Sequence, residues 1–353
     1  MGTLREQYAR LSWKKGILFG ICAAALLILA VAACCLGVAD LTPGRLLVTY
    51  LPGMDRILSA EPLSPREENI LLMLRLPRVA AGIVAGAGLG TAGAAMQAIT
   101  GNQMASPFTT GLSGAAALGA AAVVVFGGVP AGMERTATVT AAFLMAVLCA
   151  VLVFGIAGLK GMGAEALVLT GIALNYLFSA MNSTMQFIAN EDQLPAIVHW
   201  SFGSLNSLGW TDVGVMAAIF LVAFPVFFSQ GWAFDLMDSG GDEAARALGI
   251  DAGKVRLMAG GAVTLVTAGI VSFTGVIGFV GLAAPHIARL LIGKDYRQVT
   301  PFSAVTGALL VLAADTLGRN AFSPTTLPVG IVVSYVGVPL FLFLIIKGRR
   351  RGL

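Results

Sequence analysis

Few residues in this chain of 353 could make or break a covalent bond. His199 and His286 lie far apart, and His286 has no acidic or cysteine partner near it in sequence. Cys22, Cys34, Cys35 and Cys149 all fall in apolar runs without CxxC spacing. That is the setting of buried unpaired thiols, not of a disulfide framework or a metal site. No GxxxxGK[ST] phosphate loop occurs, so the chain itself does not hydrolyse ATP. The chemistry on offer is therefore non-covalent, and it concentrates in two places.

The first is the segment 235–256, which holds eight charged residues: Asp235, Asp238, Asp242, Glu243, Arg246, Asp251, Lys254 and Arg256. Within it Asp242–Leu248 reads as a short helix, because Ala244, Ala245, Ala247 and Leu248 favour that state. Gly240-Gly241 frees the backbone ahead of it, and Gly249 can close it in the left-handed conformation. A second short turn is expected over Asp251–Arg256. Such a Gly-bounded polar helix between apolar runs is either a docking surface for a soluble partner or an ordinary solvated loop.

The second place is one helical face. Asn175, Ser179, Asn182, Ser183 and Gln186 follow one another at spacings of 4, 3, 1 and 3 inside an apolar run. Polar groups at membrane depth must meet each other or water. They line a substrate pathway, or they bond to a neighbouring helix.

Composition says what carries these residues. The chain is 57% hydrophobic and 11% charged, with a mean hydropathy of +0.87, whereas soluble domains carry about 25% charged residues. This is an all-α polytopic membrane protein with about ten transmembrane helices. Apolar runs place them near 16–39, 77–100, 108–127, 136–158, 164–189, 213–231, 256–276, 278–292, 299–318 and 328–346. Val31-Ala32-Ala33-Cys34 has the look of a lipoprotein cleavage site, but the run around it is long for a signal and is read as an uncleaved first span. A short helix is expected at Arg45–Tyr50, and Ile197–Leu205 can lie at the interface. Gly82, Gly86, Gly90 and Ala94 give the second span a face open to close packing. Span eight, with Pro285-His286, is expected to be kinked or interrupted.

Ten spans put both termini on one side. If that side is cytoplasmic, fifteen Lys and Arg lie inside and seven outside, in accord with the positive-inside rule. The count places 235–256 in the cytoplasm. Five spans precede it and five follow, so the single transmembrane domain, 1–353, divides into inverted halves of about 1–210 and 211–353.

Four stretches carry a resemblance: Arg75-Leu-Pro-Arg78, Gly241–Gly249 in the central loop, Gly278–His286 running on to Arg289, and Leu327-Pro-Val-Gly-Ile331. In this order and with ten spans, the chain resembles the FecCD-like permeases of ABC importers for iron-siderophores, haem and cobalamin. The resemblance implies that Gly241, Asp242, Glu243, Ala244, Ala245, Arg246, Leu248 and Gly249 form the coupling helix that sits on an ATPase subunit. It also implies that Arg75, Arg78 and Arg319 face outward toward acidic residues of a substrate-binding protein, with Asp315 holding Arg319 from one turn away; the alternative is that these arginines anchor span ends at headgroups. Gly240 stands where family members usually have Leu, and Gln103-Met104 where they have Pro-Leu.

The expected function follows from the resemblance: a permease subunit in the bacterial inner membrane, not an enzyme, importing an iron(III)-siderophore by alternating access. Haem, cobalamin or an oxyanion of the molybdate type are the alternative cargoes. Expected partners are a second permease subunit (a copy or a close paralogue), two ATP-binding subunits that hold the ATP-Mg, and a binding protein. No cofactor, metal ligand or nucleic acid is expected on this chain. An ion-coupled secondary transporter is disfavoured, because Glu165 and Asp315 sit near span ends and leave the mid-membrane without acids.

Overall fold

Hydropathy draws most of the helices. The computed structural model describes residues 4–37, 41–51, 58, 60–321 and 325–349, apart from the side chains of 4–12, 340–341 and 343–349. Arg56, Arg350 and Arg351 of the charge count lie outside the described residues. All regular structure among the described residues is helical: α1 (Leu4–Cys35), α2 (Pro43–Tyr50), α3 (Pro65–Ile70), α4 (Leu76–Thr100), α5 (Leu112–Phe126), α6 (Glu134–Leu159), α7 (Ala164–Ile188), α8 (Gln193–Ser201), α9 (Trp210–Ser229), α10 (Gly231–Ala247), α11 (Ala252–Thr274), α12 (Val280–Ile292), α13 (Tyr296–Asn320) and α14 (Val329–Arg349). Seven helices are long and apolar enough to cross a membrane, and α5, α12 and α14 supply three shorter apolar stretches. Every expected span thus has its helix.

α4 is the axis of the molecule, buried along almost its whole length and packed by α9, α11, α12 and α13. Its glycines explain how so many helices reach it. A Cβ on Gly86 would lie 2.3 Å from the Gly307 carbonyl oxygen, one on Gly90 2.1 Å from that of Ser303, and one on Gly93 1.9 Å from that of Gly281. α4 therefore meets α13 and α12 backbone to backbone, the packing that small residues permit in lipid. α3 runs into α4 through a wide turn at Leu71–Arg75, where the Leu76 N–H donates to the Leu71 carbonyl. Pro77, one residue on, has no N–H to donate and crowds the preceding turn, so the wider turn relieves a site where regular helix is costly.

Two expectations are corrected. Asp251–Arg256 is not a separate turn: Asp251 is the N-cap of α11, accepting from the Gly253 and Lys254 N–H groups at 3.1 and 3.2 Å. The kink or interruption expected at Pro285 is not there; the chain unwinds instead at the boundary expected between spans seven and eight, between α11 and α12. There Gly275 and Phe279 both take positive φ, at 68° and 69°, while α12 runs through Pro285. The segment unwinds where three backbones converge. A Cβ on Gly203, Gly275 or Gly330 would collide with the carbonyl of Val276, Trp200 or Phe202, respectively.

Candidate functional site

At one end of the bundle α10 carries the central charged segment. Its first part is helical from Gly231, further upstream than the sequence suggested, and Gly241 (φ 68°, ψ −171°) then breaks the axis. Asp242–Ala247 leaves as a separate stub. The stub closes as expected at Gly249, at φ 81°, whose N–H donates to the Arg246 carbonyl at 2.9 Å while the Ile250 N–H donates to that of Ala245 at 2.9 Å. This is a Schellman closure, and a left-handed residue is what allows it. Ala245 is fully buried beneath the stub, whereas Glu243, Arg246, Ala247 and Leu248 are exposed. The stub thus presents a short charged and apolar ridge.

What holds the stub is Arg256, from the first turns of α11. Only 3% exposed, it grips Asp242 with both terminal nitrogens, at 2.7 and 2.6 Å. Its Nε donates to the Ile99 carbonyl at 2.7 Å and its Nη1 to the Met162 carbonyl at 3.2 Å. The guanidinium holds the Asp242 carboxyl below the usual carboxylate range, against the opposing cost of burial. Sequence reading placed Arg256 in the central charged segment and among the inside charges, without a partner. Its spacing of 14 from Asp242 gave no local signal of a pair.

A second polar cluster lies at the same end. Asp235 accepts from the Tyr296 N–H at 2.7 Å, and burial, with Asp295 beside it, raises its carboxyl to about 6 despite that bond. Burial also raises Asp238, opposed by Arg289 and Lys294. Deeper in, Arg289 donates to the Gln97 amide oxygen and, at 3.4 Å, to the Tyr296 hydroxyl. Neither Gln97 nor this network was singled out in the sequence. Among the described residues no three His, Cys, Asp or Glu side chains gather as a metal ion would require.

At the opposite end Arg75, Arg78 and Arg319 each have partners within the chain. Arg75 is 6% exposed and donates to the Cys34 and Cys35 carbonyls at the end of α1. Arg319 donates to the Ala33 carbonyl at 2.6 Å. Arg78 grips Asp315 from two nitrogens, at 3.0 and 2.7 Å, and reaches Asn206 at 2.6 Å. Asp315 therefore holds Arg78, not Arg319. Arg75 is buried and Arg78 and Arg319 are half-buried, and each donates to a helix-end carbonyl or a buried carboxylate within the chain.

The polar face of α7 is split. Asn182 donates to the Gly114 carbonyl of α5 at 2.7 Å and to that of Phe178 at 2.9 Å, which is interhelical bonding. Asn175 also sits against α5, beside Gly111 and Gly114. Ser179 and Ser183 are exposed and Gln186 is half-buried. The structure thus brings together Asp242 and Arg256 at one end and Arg78 and Asp315 at the other, and it divides the five α7 residues between packing and surface.

The chain matches the FecCD transport family over residues 24–347. It is 38% identical to a protein of Methanocaldococcus jannaschii, MJ0087, assigned as an ABC transporter permease, over 98% of this chain and 99% of that one. It is 36% identical to the Fe(3+)-citrate import system permease protein YfmE of Bacillus subtilis, over 92% and 93%. At 34% identity stand permeases named for hemin in Yersinia pestis and for vitamin B12 in Vibrio cholerae. In three dimensions it is similar to a transporter assigned to the metal-chelate type of ABC transporter, in an inward-facing conformation, with a TM-score of 0.81 and 27% identity over 94% of this chain and 99% of that one.

Proposed function

From the premise that the chain belongs to the FecCD transport family and is the membrane-spanning permease subunit of an ABC importer, we propose that its cargo is an iron(III)-siderophore. The observation that carries the mechanism is the stub Asp242–Leu248 with its exposed ridge, closed at Gly249 and held by the ion pair of Asp242 with the buried Arg256. We assign its ridge, Glu243, Arg246, Ala247 and Leu248, as the surface that meets a separate ATP-binding subunit on the cytoplasmic side. Supporting that sidedness, Lys160, Arg246, Lys254, Lys294 and Arg297 all belong to the end that carries the stub. Iron(III) chelation by the cargo is supported by the relative named for Fe(3+)-citrate and by the metal-chelate neighbour. The metal travels already chelated, so a permease of this kind needs no ligand cluster of its own.

Two permease subunits, two ATP-binding subunits and one binding protein complete the proposed assembly. ATP-Mg is held by the ATP-binding subunits, and their closure displaces the stub and re-aims the pathway between the permeases. Docking of the binding protein is assigned to the end that carries Arg75, Arg78 and Arg319, together with the exposed Arg66 of α3.

Reconstitution tests both parts. Liposomes containing the chain with its ATP-binding subunits and binding protein should accumulate a radioiron hydroxamate or catecholate siderophore only with ATP-Mg, and unlabelled haem or cobalamin should not compete. Preferential competition by haem or cobalamin would replace the cargo and leave the permease assignment intact. Gly249→Pro should abolish uptake while ATP hydrolysis continues, since proline can neither adopt φ near +81° nor donate the bond to the Arg246 carbonyl. Full uptake by a correctly inserted Gly249→Pro protein would refute the coupling assignment.

A further inference from the structure

The stub can do work on the pathway only if its displacement reaches the spans. The contacts that could carry it are few. Past Gly241, where the axis of α10 is broken, the stub is tied to α11 by two side-chain bonds that Arg256 donates to the Asp242 carboxylate. Arg256 in turn holds two backbone groups of other elements, the carbonyls of Ile99 and Met162.

Both carbonyls are ones that regular structure leaves over. At the end of α4 the Gly101 N–H takes the Ala98 carbonyl and the Asn102 N–H takes that of Gln97. That of Ile99 is left for Arg256. Met162 lies in the turn between α6 and α7 with φ at 57°, a conformation L-residues seldom hold unaided. Its carbonyl is fixed from outside the turn by the same guanidinium. Three elements that share no regular hydrogen bonding thus converge on one side chain.

Resting on the coupling reading above, we infer that Arg256 is the positioning residue that locks the stub to the inner end of α4 and to the α6–α7 turn, so that the three move as one piece. The planar fork is essential to this. Arginine presents five donors in fixed directions, and four bonds are made here at once to a carboxylate and two carbonyls. Lysine would keep the charge but has a single nitrogen that cannot span the same acceptors. Because α7 begins directly after the turn at Met162, a stub locked in this way re-orients α7 as well as α4. A stub held only by its backbone link through Ile250 and Asp251 would swing without moving either.

The test uses the full assembly in liposomes. Cysteines at Ala247 and Met104, both exposed, carry spin labels in a background lacking the four native cysteines. In the wild type their distance distribution should stay single and unchanged between nucleotide-free and ATP-bound states. In Arg256→Lys it should broaden or split on ATP binding, and substrate moved per ATP hydrolysed should fall at least about fivefold, the lower end of a usual coupling effect. Asp242→Asn, at the half-exposed partner, should do the same and serves if Arg256→Lys does not insert. A merely structural role would lower thermal stability but leave the label distance single and the transport-to-hydrolysis ratio at the wild-type value; that result overturns the inference. Leu248→Asp, on the exposed ridge, separates the two readings. If it leaves ATPase association intact, the coupling assignment itself fails. If it releases the ATPase while Arg256→Lys keeps the wild-type ratio, only the lock fails.

Discussion

At the scale of single residues, the buried and half-buried arginines close helix ends and join helices. Arg75 and Arg319 complete carbonyls at the end of α1, and Arg78 is paired with Asp315, whose side chain is 1% exposed. Removing one member of such a pair leaves the other charge buried without compensation. We therefore expect Asp315→Asn to destabilise the solubilised protein by about 3 kcal/mol; denaturant unfolding that shows less than about 1 kcal/mol would mean water already reaches Arg78. Asp235 behaves in the opposite sense. Its folded-state value of about 6 lies above the ordinary 3.8, so the folded chain holds this proton more tightly than the unfolded one. The stabilisation is complete below the unfolded value and is lost as pH rises through about 6. Asp235→Asn keeps an oxygen for the Tyr296 N–H and stays neutral. It should raise the melting temperature at pH 7.5 and flatten its dependence between pH 5 and 7; an unchanged slope would assign the titration to Asp238, which burial also raises. The residue types were legible in sequence, but their partners were not. Arg78 and Asp315 lie 237 residues apart, and no local spacing encodes a contact of that range.

At the scale of elements, hydropathy was sufficient to place the spans, because a membrane-crossing helix must be apolar and of a set length. It could not show which helix touches which. The four-residue glycine row was legible as a close-packing face, and Gly86 and Gly90 do press on α13. Gly93 makes the tightest approach of all, but to α12, and it falls outside that row. The break between α11 and α12 falls at the boundary expected between spans seven and eight, but its extent was not legible for a related reason. Residues 275–279 are apolar enough to continue a span, and only the meeting of Gly203, Gly275 and Gly330 forces the unwinding. These contacts make a graded prediction. Gly93→Ala places a methyl 1.9 Å from the Gly281 oxygen, and backbone cannot yield as a side chain would. We expect a loss of about 2 kcal/mol or more, seen as a lower melting temperature and less monodisperse protein after solubilisation. Gly261→Ala meets nothing within 4 Å and should be neutral or slightly stabilising, since alanine favours helix. Equal effects at the two positions would mean that α4 and α12 are not in backbone contact.

At the scale of the whole molecule, the question is where the proposed cargo passes, and α7 bears on it most directly. Leu167, Gly171 and Phe178 mark its buried stripe against α5 and α6. The polar residues flank one shoulder of that stripe. Asn182 is nearest to it and is bonded to α5, while Ser179 and Ser183 are furthest out and exposed. The other shoulder is Leu177 and Met181, also exposed at 52% and 39% but apolar, as a surface against lipid or a second subunit requires. The two exposed shoulders differ in chemistry, and only the hydroxyl-bearing one suits a wetted route. It continues onto Tyr176, at 74% exposure. Its neutral groups can solvate a chelate without binding it tightly enough to trap it, since fixed charge would compete with the ligand's own. The expectation that Asn175, Ser179, Asn182, Ser183 and Gln186 line the path is here proposed in narrower form, for Ser179 and Ser183. In a cysteine-free background within the assembled transporter, cysteines at 179 and 183 should react with a membrane-impermeant thiol reagent, and ATP binding should change their rates. A cysteine at 182 should react slowly, and its main cost should be to stability, because the bond to the Gly114 carbonyl is lost. Cysteines at 177 and 181 should stay unreactive despite their exposure in the single chain. If 177 and 181 label as fast as 179 and 183, the route does not run along this shoulder of α7, and the exposed hydroxyls there are ordinary surface.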